Sequence, residues 1–149
     1  MARTINAAGL TLIKSFEGCR LTAYQDVAGI WTIGYGHTRG VTAGMVFTQA
    51  QADQALADDL LVTENAVNKA VAAATNTTDN QFAAMVSLTY NIGSGNFASS
   101  TVLREHLAEQ IQSAADAFLM WNKATINGVL QVVNGLTNRR TAERSLYLS

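Results

Sequence analysis

The residues best suited to catalysis are two carboxylic acids, Glu17 and Asp26, in the stretch EGCRLTAYQDVAGIWTIGYGH of residues 17–37. Splitting a glycosidic bond requires one protonated carboxyl group, which donates to the leaving oxygen, and one ionised carboxylate, which activates water. Glu17 is expected to end a helix, where the dipole and partial burial favour the protonated acid, whereas Asp26 lies in a polar turn. The two acids are able to divide these roles, but their spacing alone is far more typical of surface charges.

A helix and a small sheet are predicted to position these acids. Asn6 is a suitable N-cap and Gly18 a suitable stop for a helix over about residues 6–17. In the following β-lobe, about residues 19–47, glycines recur and β-forming residues cluster in three short segments. We therefore expect three antiparallel strands that pack against helices, with the third strand over residues 41–47.

The rest of the chain is predicted to be helical. A capping-box pattern at Thr48 and Gln51 begins a long connecting helix over about residues 48–75. The acidic residues of this helix are interpreted as a solvated face, and they are Asp53, Asp58, Asp59 and Glu64. A second capping box, at Thr78 and Gln81, begins an apolar helix that is expected to be buried.

Three further helices are predicted, over residues 100–109, 113–123 and 136–148, with a hairpin or loop around Gly128. The fold class is α+β, mainly helical, within a single domain over residues 1–149. We expect the β-lobe and a helical lobe, about residues 78–149, to be joined by the long helix, with a cleft between the lobes.

The composition indicates a globular protein from a reducing compartment. With 149 residues and 48% hydrophobic residues the chain is too apolar for disorder, and a net charge of −1 gives no reason to expect a nucleic-acid partner. Cys19 is the only cysteine, so no disulfide forms within one chain. No apolar stretch approaches the roughly 20 residues of a membrane-spanning helix, and no export signal is visible. We expect no membrane insertion.

The full pattern of residues 17–37 is more specific than the spacing of the acids. Glu17, Asp26 and Thr32, followed by the run Ile-Gly-Tyr-Gly-His at residues 33–37, resemble the phage-type lysozymes of glycoside hydrolase family 24. The resemblance implies a lysozyme-like fold and an inverting reaction. It implies that Glu17 is the general acid, that Asp26 helps to activate or position the attacking water, and that Thr32 holds this water.

The resemblance extends along the chain. Residues 88–93, LTYNIG, are similar to the end of the central helix of the family, and the segment around Arg139, Arg140 and Glu143 is similar to the C-terminal pattern of many phage endolysins. By position in these motifs, the residues expected to touch the sugar or peptide are Thr38, Tyr90, Asn91 and Ser100. We leave open whether Arg139, Arg140 and Arg144 meet an anionic wall polymer or pair with acids.

No metal or cofactor is predicted. His37 and His106 are far apart in sequence and belong to no recognisable zinc motif, and His37 is interpreted as structural. The run Gly34-Tyr35-Gly36 lacks the third glycine and the strand–helix context of a dinucleotide site. We expect tight backbone geometry at these glycines instead.

With the resemblance, the sequence predicts a phage endolysin, a monomeric muramidase that hydrolyses the β-1,4 bond between N-acetylmuramic acid and N-acetylglucosamine of peptidoglycan. It is expected to accumulate in the host bacterial cytoplasm until a separate phage pore protein, a holin, opens the inner membrane and gives access to the periplasmic wall. Two alternatives remain. One is a non-catalytic peptidoglycan-binding protein on the same fold, and the other is a lytic transglycosylase, which needs no attacking water.

Overall fold

The computed structural model describes residues 2–149, and its fold is α+β and mainly helical, as predicted. The helices are α1 (Ala7–Glu17), α2 (Gln49–Ala70), α3 (Asp79–Ile92), α4 (Ser94–Ala98), α5 (Thr101–Leu107), α6 (Ile111–Ala117) and α7 (Asn134–Leu148). The strands are β1 (Arg20–Gln25), β2 (Trp31–Gly34), β3 (Lys123–Ile126) and β4 (Val129–Val132), and a short 3-10 helix, Phe118–Trp121, follows α6. Two compact units result: a small unit of residues 13–62, and a large unit of residues 2–12 and 63–149.

The core of the small unit lies between the end of α1, the β1–β2 hairpin and the first part of α2. Ile13 and Ile33 are fully buried, as are apolar residues on one face of α2. Gly34 packs against Ala52 so closely that a Cβ atom at Gly34 would lie 3.4 Å from the Cβ of Ala52. The hairpin is therefore held directly on the helix, which supplies the packing that a two-stranded ribbon lacks.

The prediction of a three-stranded sheet in the β-lobe was wrong in the number of strands. β1 and β2 are antiparallel, with Tyr24 opposite Thr32, but residues 41–47 form only an isolated bridge between Val46 and Thr22. Backbone hydrogen bonds from Ala23 to Met45 and from Phe47 to Leu21 flank this bridge. Turns at two glycines with positive φ, Gly40 and Gly44, leave the segment too short for a full strand.

The core of the large unit is built around α3. Nine consecutive residues, Gln81 to Thr89, are buried, which confirms the prediction of a buried helix. The capping box of Thr78 and Gln81 is present, and the box of Thr48 and Gln51 forms in the same way at the start of α2. α7 packs along α3 and closes this core.

Several element boundaries differ from the prediction. α2 ends at Ala70, the helix predicted over residues 113–123 is α6 followed by the 3-10 helix, and α4 was not predicted at all. The segment around Gly128 is the β3–β4 hairpin, whose two turn residues, Asn127 and Gly128, have φ values of 51° and 78°. Two consecutive positive φ angles are typical of the tight turn that an Asn-Gly pair favours.

The arginines of α7 form internal ion pairs, which resolves the open question about them. Arg139 and Arg140 are 4% and 0% exposed, and both contact the fully buried carboxylate of Glu143. Nε of Arg140 lies 2.7 Å from Oε1 of Glu143. Burial raises the pKa of the Glu143 carboxyl. The positive charges of Arg140 and Arg139 and the hydrogen bonds from Ser87 and Arg139 lower this pKa, but by less than burial raises it. Arg144 pairs with Asp116 through two nitrogens, at 2.9 and 2.8 Å.

A solvated face is the wrong interpretation for part of the acidic run of α2. Glu64 is 6% exposed and accepts the backbone N–H of Ile5, which fixes the N-terminal segment on this helix. Asp59 contacts the ring of His37. No helix in residues 2–149 has the length and apolar character needed to cross a membrane.

His106 is buried between two hydroxyl groups of the large unit. Its Nε2 lies 2.8 Å from Thr77 Oγ1 and its Nδ1 lies 2.6 Å from the hydroxyl of Tyr147. Burial lowers the pKa of His106 below its ordinary value of 6.5 and raises the pKa of Tyr147 to about 12. Folded His106 therefore stays neutral at pH values where the unfolded chain binds a proton.

We predict that His106 makes the free energy of unfolding fall as the pH drops below about 6.5. The unfolded state binds more protons there, so the contribution is complete above the unfolded pKa and is lost towards the lower folded pKa. In urea unfolding at pH 5.0 to 7.5, the difference between wild type and His106→Asn should shrink below pH 6.5 by up to about 1.4 kcal/mol per pH unit. A difference that is independent of pH would contradict this assignment.

Candidate active site

Glu17 is the last residue of α1, and its side chain is half-buried. Gly18 follows with a φ of 69°, and its N–H bonds to the carbonyl of Lys14 at 3.0 Å. This left-handed residue is a common way to end a helix, and it directs the chain into β1. The helix end therefore fixes the backbone of Glu17 next to the hairpin.

A tight loop at Gly34-Tyr35-Gly36 lies against the carboxyl group of Glu17. Ile33 and His37 close the loop by exchanging two backbone hydrogen bonds of 2.9 Å each. Gly36 has a φ of 82°, and a Cβ atom at this position would lie 3.2 Å from Oε1 of Glu17. The loop thus needs glycine both for its backbone conformation and for the space that the carboxyl occupies.

Asp26 begins the turn that joins β1 to β2, and it is half-buried. Its Oδ1 accepts hydrogen bonds from the backbone N–H groups of Ala28 and Ile30, at 2.8 and 2.9 Å. Its own N–H donates to the carbonyl of Ile30. One carboxylate oxygen therefore closes the turn, while no hydrogen bond within residues 2–149 engages Oδ2, which remains able to accept one from water.

Thr32 lies in β2 and is 4% exposed. Its hydroxyl donates to the carbonyl of Ile30 at 2.9 Å, so the lone pairs of the oxygen remain able to accept. Asp26 and Thr32 therefore both bind the backbone of Ile30, the former at its N–H and the latter at its carbonyl. Glu17, Asp26 and Thr32 all belong to the small unit.

His37 anchors the other end of the loop to α2. Its Nδ1 lies 2.8 Å from Oδ2 of Asp59, and its ring lies 6.2 Å from the ring of Phe47. These contacts are those of a structural residue, as predicted. No group of three or more metal-ligating side chains occurs within residues 2–149.

The four residues expected to touch the substrate occupy different environments. Thr38 is exposed beside His37, in the small unit, whereas Tyr90, Asn91 and Ser100 belong to the large unit. Asn91 is exposed, and its Oδ1 accepts from Arg140 at 3.0 Å. Ser100 is buried as the N-cap of α5, with its oxygen accepting from the N–H of Leu103 and its hydroxyl donating to the carbonyl of Phe97.

A polar cluster beside the Gly34-Tyr35-Gly36 loop was missed in the sequence. Gln49 Nε2 donates to the hydroxyl of Tyr35 at 3.1 Å and to Oδ1 of Asp53 at 3.0 Å. Lys14 Nζ lies 3.4 Å from the same oxygen of Asp53 and 5.5 Å from the centre of the Tyr35 ring. The hydrogen bond from Gln49 is the largest single cause that lowers the pKa of Asp53, and Lys14 and Tyr35 lower it further. The only sequence signals were the one-turn spacings of Lys14 from Glu17 and of Gln49 from Asp53.

A comparison with known protein families identifies the family of this chain. Residues 14–143 match the family model described as phage lysozyme. The chain belongs to the phage lysozyme family. This confirms the resemblance drawn from the stretch that contains Glu17, Asp26 and Thr32.

Relatives in the phage lysozyme family cover almost the whole chain. The endolysin of Salmonella phage P22 is 42% identical over 97% of this chain and 98% of its own, and the endolysin of Acyrthosiphon pisum secondary endosymbiont phage 1 is 41% identical with the same coverage. Among solved structures, the endolysin from Escherichia coli O157:H7 phage FAHEc1 has a TM-score of 0.94 and 42% identity, over 100% of this chain and 96% of its own. The muramidase domain of SpmX from Asticaccaulis excentricus has a TM-score of 0.92 and 44% identity, over 99% of both chains.

We predict that Gly36→Ala lowers the rate of peptidoglycan hydrolysis at least tenfold, because the new methyl group displaces the Glu17 carboxyl by a few tenths of an ångström. Gly40→Ala is the matched control, since Gly40 has a similar φ of 71° but open space around it. Both variants carry a backbone strain of about 1–2 kcal/mol at a residue with positive φ, but only Gly36→Ala places a methyl group against the Glu17 carboxyl. Equal activities of the two variants would contradict the close approach of Gly36 to Glu17.

Proposed function

We propose that this protein is a phage endolysin, a muramidase that hydrolyses the β-1,4 bond between N-acetylmuramic acid and N-acetylglucosamine in peptidoglycan. The observation that carries the proposal is the arrangement of the small unit, in which Asp26 and Thr32 bind the same residue, Ile30, and Glu17 faces the glycine loop. Membership of the phage lysozyme family supports the same reaction, as do relatives named as endolysins and as a muramidase domain.

Glu17 is the proposed general acid. Its carboxyl group transfers a proton to the glycosidic oxygen as the bond to the anomeric carbon breaks, which makes the departing sugar a neutral alcohol. Because Gly36 has no side chain, the carboxyl lies against the loop backbone without steric displacement. A fixed position matters here, since proton transfer requires hydrogen-bond distance to the glycosidic oxygen.

Asp26 and Thr32 are proposed to act on the attacking water. The hydroxyl oxygen of Thr32 accepts one hydrogen of the water, while Asp26 accepts the other and takes the proton as the water oxygen bonds to the anomeric carbon. The two N–H groups on Oδ1 keep the Asp26 side chain from rotating. Attack on the face opposite the leaving group inverts the anomeric centre, and proton exchange with solvent restores both carboxyl groups.

Thr38, Tyr90 and Asn91 are proposed to contact the glycan or its peptide. Their exposed or half-buried side chains support this assignment. The hydroxyl hydrogen of Ser100 is directed to the carbonyl of Phe97. We therefore propose that Ser100 supports substrate binding indirectly, as the helix cap that holds the first turn of α5. A monomer is the proposed working form.

We predict that Glu17→Gln and Asp26→Asn each lower the hydrolysis of purified cell wall at least about 100-fold, because each removes a proton-transfer group. Asp26→Asn is suited to the test because the amide oxygen of the introduced asparagine is able to keep the two turn hydrogen bonds of Asp26 Oδ1. Loss of turbidity of chloroform-treated Gram-negative cells measures the rate, and mass spectrometry identifies the products.

The products separate the proposal from its alternatives. New reducing ends with an inverted anomeric configuration support the muramidase, whereas anhydro-sugar ends would indicate a lytic transglycosylase. Wall binding without loss of turbidity in the wild type would indicate a non-catalytic binding protein. Glu17→Gln with near wild-type turnover would exclude Glu17 as the acid.

The enzyme is further proposed to reach the periplasmic wall from the host cytoplasm, after a holin opens the inner membrane. We predict that expression of this chain alone leaves cells intact and that chloroform or a co-expressed holin then causes rapid lysis. Culture turbidity over time is the measurement, with the Glu17→Gln variant as the control for lysis by the pore alone. Lysis by this chain alone, with an intact inner membrane, would contradict the proposed route.

A further inference from the structure

The polar cluster of Lys14, Tyr35, Gln49 and Asp53, here called the Tyr35 network, links three elements of the small unit. Lys14 lies one helical turn before Glu17 in α1, Tyr35 lies between the two glycines of the loop, and Gln49 and Asp53 lie in the first turns of α2. The Gln49 amide contacts both Tyr35 and Asp53, and the Asp53 carboxylate returns to Lys14. The helix end that carries Glu17 and the loop that carries Gly36 are thereby tied to the same side chains.

The network contributes little to the packing of the core. Gln49 and Asp53 are exposed, and Lys14 and Tyr35 are only half-buried. Exposed ion pairs and hydrogen bonds of this kind add little to stability. The contacts of the Tyr35 network converge on the loop beside Glu17. Stabilisation of the fold, which explains the contacts of the buried core, therefore does not explain these contacts.

We propose that Tyr35, held by the hydrogen bond from Gln49, is a positioning residue for the general acid Glu17; this inference rests on the proposed function. Gly36 follows Tyr35 directly, and its backbone lies against Oε1 of Glu17. A small tilt of the loop therefore moves the surface on which the carboxyl rests.

The opposite side of the loop is already fixed. Ile33 and His37 close it through the backbone, and His37 is held by Asp59. These contacts fix the base of the loop, whereas the side chain of Tyr35 at the loop tip is held by Gln49 and lies beneath Lys14. The hydroxyl of Tyr35 therefore controls the orientation of the tip without being needed to form the loop.

The test uses Tyr35→Phe, which keeps the ring beneath Lys14 and removes the hydroxyl, together with Gln49→Met and the double variant. Gln54→Met is the matched control, because Gln54 makes the same one-turn hydrogen bond on α2, to Asp58 at 2.9 Å, away from the loop. We measure kcat and KM on soluble glycan strands and the melting temperature of each variant.

We expect Tyr35→Phe and Gln49→Met each to lower kcat about fivefold, with KM within about twofold of wild type and melting temperatures close to that of Gln54→Met. The two changes have the Tyr35–Gln49 contact in common, so the loss in the double variant should be smaller than the product of the two single losses. Wild-type kcat in Tyr35→Phe, an equal loss in Gln54→Met, or losses that multiply in the double variant would each overturn the inference. Glu17→Gln separates the two proposals: if it is inactive and Tyr35→Phe has wild-type kcat, only the positioning role fails.

Discussion

The close approach of Gly36 to the carboxyl of Glu17 is the constraint on which the candidate site in the small unit depends. The loop backbone occupies the position next to Oε1 only because Gly36 has no side chain and adopts a φ of 82°. The Ile33–His37 hydrogen bonds close the loop, and Gly34 at its start packs against Ala52 of α2. The position of the Glu17 carboxyl is thus linked to the glycines of the loop and, through Gly34, to the contact between hairpin and helix.

The second acid combines a structural and a chemical role in one side chain. Oδ1 of Asp26 closes the β1–β2 turn, and Thr32 binds the other side of the same Ile30 backbone. The side-chain hydrogen bonds that close the hairpin turn are therefore the bonds that orient the proposed water-activating pair. For this reason a variant that removes the acceptor at Asp26 changes the hairpin as well as the chemistry, whereas asparagine separates the two effects.

Local signals in the sequence were sufficient where the structure is determined locally. The capping boxes at Thr78 and Thr48 are present, and the motif around Glu17 identified the family. Residues 41–47 were predicted as a strand from their β propensity. Propensity does not show over how many residues a segment pairs with a neighbouring strand. The Tyr35 network and the burial of Arg140 depend on residues brought together by the fold, as in the hydrogen bond between Tyr35 and Gln49, and no pattern of spacing contains that information.

The chain has no excess of cations, and several of the cations that it has are paired with acids. Many lysozymes are strongly basic, whereas this chain has a net charge of −1. Arg139 and Arg140 are paired with the buried Glu143, and Arg144 is paired with Asp116. Cations paired in this way contribute little to a long-range field, which salt screens further within about 10 Å. On the proposed function, we therefore expect this chain to bind the anionic wall through short-range contacts with the glycan rather than through electrostatic attraction from a distance.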